Sequence, residues 1–206
     1  MPSVSVLDEV NSERSRGKAS KVKTKLQVLF ERAKSFRYLC KVNVRKMTNM
    51  TKRETYEALL PEIRSVIEDE TDLIANMANV AAMLHEAFGF WWTGFYRVMK
   101  PADAEEELLV LGPFQGPLAC TRIKYGRGVC GTSWKEERTV VVPNVHEFPG
   151  HIACSSLSNS EIVVPVFDGD RMIAELDIDS KDFSTFDDTD KEFLEEVCSW
   201  LTKHSA

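Results

Sequence analysis

The sequence predicts an α+β domain, with a mainly antiparallel sheet and helices packed against it. Three observations predict it. Apolar residues recur at helical spacing at both ends of the region 51–206, and β-branched or alternating segments lie between them. Asp168-Gly169-Asp170 separates two such segments and is a strong hairpin-turn signal. The order is helix, helix, strands, short helix, strands, helix, which fits helices laid on an antiparallel sheet.

The elements follow in order. Tyr56, Leu59, Leu60, Ile63 and Ile67 mark one amphipathic helix, with Pro61 expected to split or kink it. Asp72, Leu73, Ile74, Met77, Val80, Met83, Leu84 and Phe88 mark a second, ended by Gly89. Trp91–Val98 is an aromatic, β-branched strand, and Leu108–Leu111 returns after an acidic hairpin loop at 101–107. Leu118–Ile123 is expected to be extended, and Arg138–Pro143 a short strand. Glu161–Phe167 and Met172–Ile178 flank the Asp-Gly turn. Asp187 can cap a last helix whose core face carries Phe193, Leu194, Val197, Trp200 and Leu201.

Composition bounds the function. The 206 residues are 43% hydrophobic and include 11 Phe, 4 Trp and 4 Tyr, enough for a real core. No apolar run is long enough to span a membrane, and the first twenty residues hold no apolar stretch of secretory-signal type. Five Cys without dense spacing predict a reducing, cytoplasmic setting. Residues 1–50 carry 12 Lys+Arg against 4 Asp+Glu, whereas residues 51–206 carry 14 against 28. The acidic body repels phosphates, which argues against nucleic-acid binding. The division is therefore a basic N-terminal extension, 1–50, and a domain, 51–206. The extension reads first as a solvated tail with a nascent helix over Leu26–Phe36, and otherwise as an organelle-targeting segment, for which Asp8, Glu9, Glu13 and Glu31 are unusual, or a surface-binding amphipathic helix.

The region 112–160 is long, irregular and rich in Gly, Pro, Cys and His, the pattern of a functional loop. Within it, Gly126-Arg127-Gly128-Val129-Cys130-Gly131 spells a dinucleotide fingerprint but lacks the βαβ unit and the distal acid which that mechanism needs. A tight turn into a short helix explains the glycines, and its N–H groups could hold a carboxylate. Cys120, Cys130 and Cys154 leave three chemistries open: a metal site with His146 and His151, inert buried thiols, or thiol redox chemistry. Farther on, Glu175, Asp177 and Asp179 fall on one strand face, with Leu176 and Ile178 on the other. Asp is depleted in strands, so this acidic face reads either as solvated surface or as one wall of a pocket with Glu161. Trp91 and Trp92 read as two core residues, or as one core residue and one pocket wall.

Several segments together carry a resemblance. They are Leu111-Gly112-Pro113-Phe114-Gln115-Gly116, Ala119-Cys120, Gly126-Arg127-Gly128-Val129-Cys130-Gly131, Gly150-His151-Ile152-Ala153-Cys154, Ser158-Asn159-Ser160-Glu161-Ile162 and Leu176-Asp177-Ile178-Asp179-Ser180. Over about residues 53–203 the chain resembles the free methionine-(R)-sulfoxide reductases, enzymes built on a single GAF domain. The resemblance implies a six-stranded antiparallel sheet with N- and C-terminal helices on one face and active-site loops on the other. It implies a substrate, free L-methionine-(R)-sulfoxide, and no metal or organic cofactor. Cys154 matches the catalytic cysteine, which becomes a sulfenic acid. Cys120 matches the resolving cysteine, which closes a Cys120–Cys154 disulfide that thioredoxin or a related dithiol protein reduces. Cys130 matches a less essential third cysteine. Glu161, Asp177 and Asp179 match substrate carboxylates, and Trp92 the aromatic wall for the ε-methyl group. A homodimer is expected by analogy with many GAF domains. Members typically carry another residue at Trp91, and the 101–107 loop is longer here. Cys198, beside the core face of the last helix, is expected to be packing. The alternatives are a non-catalytic GAF module binding a small molecule, which would not need three loop cysteines, and a zinc-bound structural or hydrolytic protein.

Overall fold

The computed structural model describes residues 50–150 and 156–202. The chain divides into two units, Met1–Asn49 and Met50–Ala206. The expected N-terminal helix, Cys40, His151 and Cys154 lie outside the described residues.

Helix α1 (Lys52–Ile67) opens with a capping box: the Thr51 hydroxyl accepts from the Glu54 N–H at 3.3 Å, and Glu54 Oε2 accepts from the Thr51 N–H at 2.8 Å. The helix runs through Pro61 unbroken, against expectation. Pro61 and Glu57, whose carbonyl loses its partner, are both exposed, so water can replace the missing hydrogen bond. Helix α2 (Leu73–Phe88) is capped by Asp72, which accepts from the N–H groups of Ile74 and Ala75 at 2.8 and 3.0 Å.

Strands β1 (Trp92–Met99), β2 (Leu108–Gln115), β3 (Arg122–Ile123), β4 (Val140–Val142), β5 (Ser160–Asp168) and β6 (Arg171–Ser180) form one antiparallel sheet in the order β3-β2-β1-β6-β5-β4. Of the segment expected to be extended at Leu118–Ile123, only Arg122 and Ile123 are strand, with the Thr121 carbonyl still accepting from the Leu111 N–H of β2, while Pro117–Ala119 rim the pocket described below. Helix α3 (Gly128–Glu136) and a 3-10 turn at Val145–Glu147 follow β3 and β4, and α4 (Asp188–Trp200) closes the fold.

The sheet separates two cores. Phe95, Ile162, Val164, Val166, Ala174, Leu176 and Ile178 face α1, α2 and α4, where Tyr56 stacks on Phe193 at 5.0 Å. Cys198 is buried in this core, as expected of a packing residue. Leu176 is fully buried, so Leu176→Ala would cost about 2–5 kcal/mol. The other face carries Trp92, Tyr96, Val163 and Met172 beneath Val129, Cys130 and Trp134 of α3. Because strand side chains alternate, the burial of Leu176 and Ile178 against the helices dictates that Glu175, Asp177 and Asp179 point the opposite way.

Candidate active site

Register assembles the site. Asp179 pairs with Trp92 on one side and Glu161 on the other, so all three side chains share a face. Asp177 pairs with Gly94 and Val163, and Glu175 with Tyr96 and Pro165. The resulting pocket is lined by Trp91, Trp92, Tyr96, Arg127, Cys130, Ser158, Glu161, Asp177 and Asp179, with Pro117–Ala119 at the rim.

The aromatic wall is held from several sides. The Trp92 indole N–H donates to the Pro117 carbonyl at 3.1 Å, and its ring stacks on Phe114 at 5.5 Å and on Tyr96 at 6.0 Å. Gly94 makes this possible: a Cβ there would lie 2.4 Å from both the Trp92 ring and Phe114 Cβ. Trp91 also lines the pocket, and the Lys181 ammonium sits 3.6 Å from its ring centroid. Both tryptophans therefore contribute to the site.

The acids occupy an environment that disfavours charge. Burial, then repulsion from Asp177, Asp179 and Glu175, pushes the Glu161 carboxyl well above its usual range. Burial and Asp179 do the same to Asp177, and burial and Asp177 to Glu175. Burial pushes Asp179 up to about 6 against a hydrogen bond from Ser158 that favours its ionised form. The Cys130 thiol lies 3.8 Å from Glu161 Oε1, and burial together with Asp177, Glu175 and Glu161 raises it far from thiolate formation. A thiol so placed is a poor attacking nucleophile.

The turn before α3 has the expected shape, with Gly126 and Gly128 in left-handed conformations at φ +69° and +66°. Arg127 at the N-cap makes no side-chain capping bond, and Gly128, Val129 and Cys130 of the first helical turn line the pocket, a position that suits an anion. Cys120 sits half-buried just past the Pro117–Ala119 rim and is disulfide-bonded, whereas Cys130 and Cys198 carry free thiols. The Cys120 carbonyl accepts from the Tyr96 hydroxyl at 2.8 Å. His146, weighed as a metal ligand, donates instead to Asn159 Oδ1 at 2.8 Å.

Among the described residues the pocket thus unites Trp92, Cys130, Glu161, Asp177 and Asp179, with Cys120 at its edge. Tyr96, Ser158, Arg127 and Glu175 also belong to it or to its floor. Alternation placed Glu175 on the face of Asp177 and Asp179, as expected; Ser158 and Arg127 lie in loops with no periodic signal.

Comparison with known proteins agrees with this architecture. The GAF domain model matches residues 72–203. The chain is 42% identical to the free methionine-R-sulfoxide reductase of Escherichia coli over 75% of this chain and 90% of that protein. It is 38% identical to the Saccharomyces cerevisiae enzyme of the same name, over 76% and 88%. A crystal structure of free methionine-R-sulfoxide reductase from Neisseria meningitidis in complex with its substrate superposes with a TM-score of 0.72 at 54% identity, covering 76% of this chain and 92% of that one. With its fold, its pocket and these relatives in agreement, the chain belongs to the free methionine-R-sulfoxide reductases of the GAF domain family.

Proposed function

We propose that this protein reduces free L-methionine-(R)-sulfoxide to L-methionine, using Cys154 as nucleophile, Cys120 as resolving cysteine and a thioredoxin-type dithiol protein as reductant. The observation that carries the reading is the buried acidic pocket of Glu161, Asp177 and Asp179 against the Trp92 wall. A free amino acid brings an ammonium to neutralise these acids; the same residue within a protein has none. Its carboxylate suits the open N-terminus of α3, with Arg127 beside it. Its methyl group suits the indole face of Trp92.

The chemistry balances as follows. The Cys154 thiolate attacks the sulfoxide sulfur, and the sulfoxide oxygen takes a proton from Glu161 or Asp177, the carboxyls that burial holds well above their ordinary range. As the transient S–S bond and the substrate S–O bond break, the oxygen passes to Cys154: methionine leaves reduced by two electrons and Cys154, oxidised by two, becomes a sulfenic acid. The Cys120 thiol attacks that sulfur, water departs, and a disulfide forms, which an external dithiol opens by exchange. The disulfide-bonded state of Cys120 supports a redox role for this cysteine. The neutral, carboxylate-flanked Cys130 thiol supports an auxiliary one.

A thioredoxin-coupled assay tests the proposal with free (R)-sulfoxide, free (S)-sulfoxide and N-acetylated (R)-sulfoxide. Turnover of only the free (R) form is expected, and Cys154→Ser abolishes it. No turnover by the reduced protein would overturn the reading in favour of a binding module.

A further inference from the structure

We propose that the floor of this pocket is also a binding site for a thiophilic divalent cation of the zinc class, held by Cys130 Sγ and the carboxylates of Glu161 and Asp177 in competition with the substrate's ammonium. The three residues are buried, and one ligand atom from each lies within 4.8 Å of the others. Cys130 Sγ and Glu161 Oε1, at 3.8 Å, are already close to the separation of roughly 3.5 Å that two ligands of a tetrahedral zinc ion adopt. Small rotations of Asp177 would close the set.

A separate observation, at Asp177 and its neighbour Glu175, points the same way. Asp177 Oδ1 and both oxygens of Glu175 are buried without a hydrogen-bond partner among the described residues. Glu175 is wholly inaccessible, next to Cys130 and Asp177. Buried polar atoms are ordinarily paired, so atoms left open here point to something that arrives. The groups that most raise Glu175 and Asp177, burial apart, are neighbouring acids, while Arg127 stands in the pocket lining.

The donor set selects the ion. One sulfur with carboxylate oxygens favours Zn²⁺ or Co²⁺ over Mg²⁺ and Ca²⁺, which take oxygen-only shells. On binding, the Cys130 S–H bond breaks, its proton goes to solvent and an S–metal bond forms; no electron is transferred. Glu175 stands outside the ligand set, as a buried acid beside Cys130 and Asp177. The fourth position opens toward the pocket. Binding itself stands on this geometry, while inhibition by the ion rests on the proposed reductase reading.

The test uses the full chain, reduced with a phosphine, stripped of metal and titrated with Co²⁺. One equivalent with a thiolate-to-cobalt charge-transfer band is expected. Cys130→Ser abolishes the band and weakens Zn²⁺ binding, read by chelator competition, by about tenfold or more. Asp177→Asn weakens binding but keeps the band, and Cys154→Ser and Cys120→Ser keep both. Excess free methionine displaces the ion. Circular dichroism checks that each variant is folded. Absence of the band, its survival in Cys130→Ser or its loss in Cys154→Ser would overturn the proposal. In the activity arm, Zn²⁺ should raise KM for the sulfoxide without lowering kcat. Metal binding by a chain that reduces no sulfoxide would defeat the reductase reading alone. Sulfoxide reduction by a chain without the band would defeat the metal site alone.

Discussion

The Tyr96 hydroxyl donates a 2.8 Å hydrogen bond to the Cys120 carbonyl, tying the pocket wall to the loop that carries the proposed resolving cysteine. Burial first, then Asp177, raises the Tyr96 hydroxyl above its ordinary range, so it remains a neutral donor. Tyr96→Phe removes this tie and leaves the carboxylates in place. In the proposed mechanism, release of the first methionine uses only Cys154 and the pocket, so it should be nearly unchanged. Recycling should slow several-fold, because the proposal has Cys120 meet the sulfenic acid. Single-turnover and steady-state rates measured side by side check this; an equal loss in both would remove the positioning role.

Asp179 sets a pH dependence. Its folded-state value of about 6 lies above the ordinary 3.8, so the folded protein holds a proton that the unfolded chain releases. The stabilisation is complete below about pH 4 and disappears as pH rises through about 6. Asp179→Asn cannot ionise. Its melting temperature relative to the parent should therefore rise between pH 4 and pH 8, by the equivalent of about 1–3 kcal/mol. Binding has the opposite slope: the ammonium needs the ionised form, so KM should fall as pH rises from 5 to 7. Asp179→Asn should lose that limb. Parallel pH profiles for parent and variant would contradict it.

Much of this was legible because period-2 patterning is unambiguous once one face is apolar. Leu176 and Ile178 had to enter the core, and that alone aimed Asp177 and Asp179 into the site. The turn residues were equally informative at Asp168-Gly169 and Gly126–Gly128, where the chain needs left-handed backbone. Pro61 misled, because helix disruption depends on whether the freed carbonyl can reach water. Leu118–Ile123 misled too, since short apolar segments are extended whether or not they pair. Trp91 and Trp92 could not be divided between core and pocket, because Trp92 is both, buried yet lining the cavity. Ser158 touches Asp179 only through loop geometry.

Glu175 should be a liability for stability. It is fully buried, and neither oxygen has a well-formed hydrogen bond among the described residues. Replacing an unsatisfied buried polar group with an apolar one of similar volume removes its desolvation cost. Glu175→Leu should therefore stabilise the protein by about 1–3 kcal/mol in urea unfolding. It also removes a negative neighbour from Cys130 and Asp177, so both should ionise at lower pH than in the parent. Thiol titration of Cys130 with an alkylating probe, in a variant lacking the other cysteines, reads that shift. Destabilisation by Glu175→Leu would mean the carboxyl makes an interaction essential to the fold.

Gly94 should be intolerant of even one methyl group, for a reason of space. Its backbone runs under the Trp92 indole, and an added Cβ would come within 2.4 Å of Trp92 and of Phe114 Cβ. Phe114 Cβ is fixed to the β2 backbone and cannot retreat like the end of a flexible side chain. The strand or the indole must move. Gly94→Ala should cost about 1–3 kcal/mol of stability, as overpacking does. It should also break the Trp92 hydrogen bond to the Pro117 carbonyl and shift the wall proposed to meet the substrate's methyl group. KM for the free sulfoxide should rise about tenfold, since the wall binds substrate without taking part in proton transfer, and kcat should fall less. Trp92→Phe, which shrinks the ring without pushing the strand, should raise KM with little change in stability. If Gly94→Ala alters melting temperature alone and leaves KM untouched, Trp92 does not form the substrate wall.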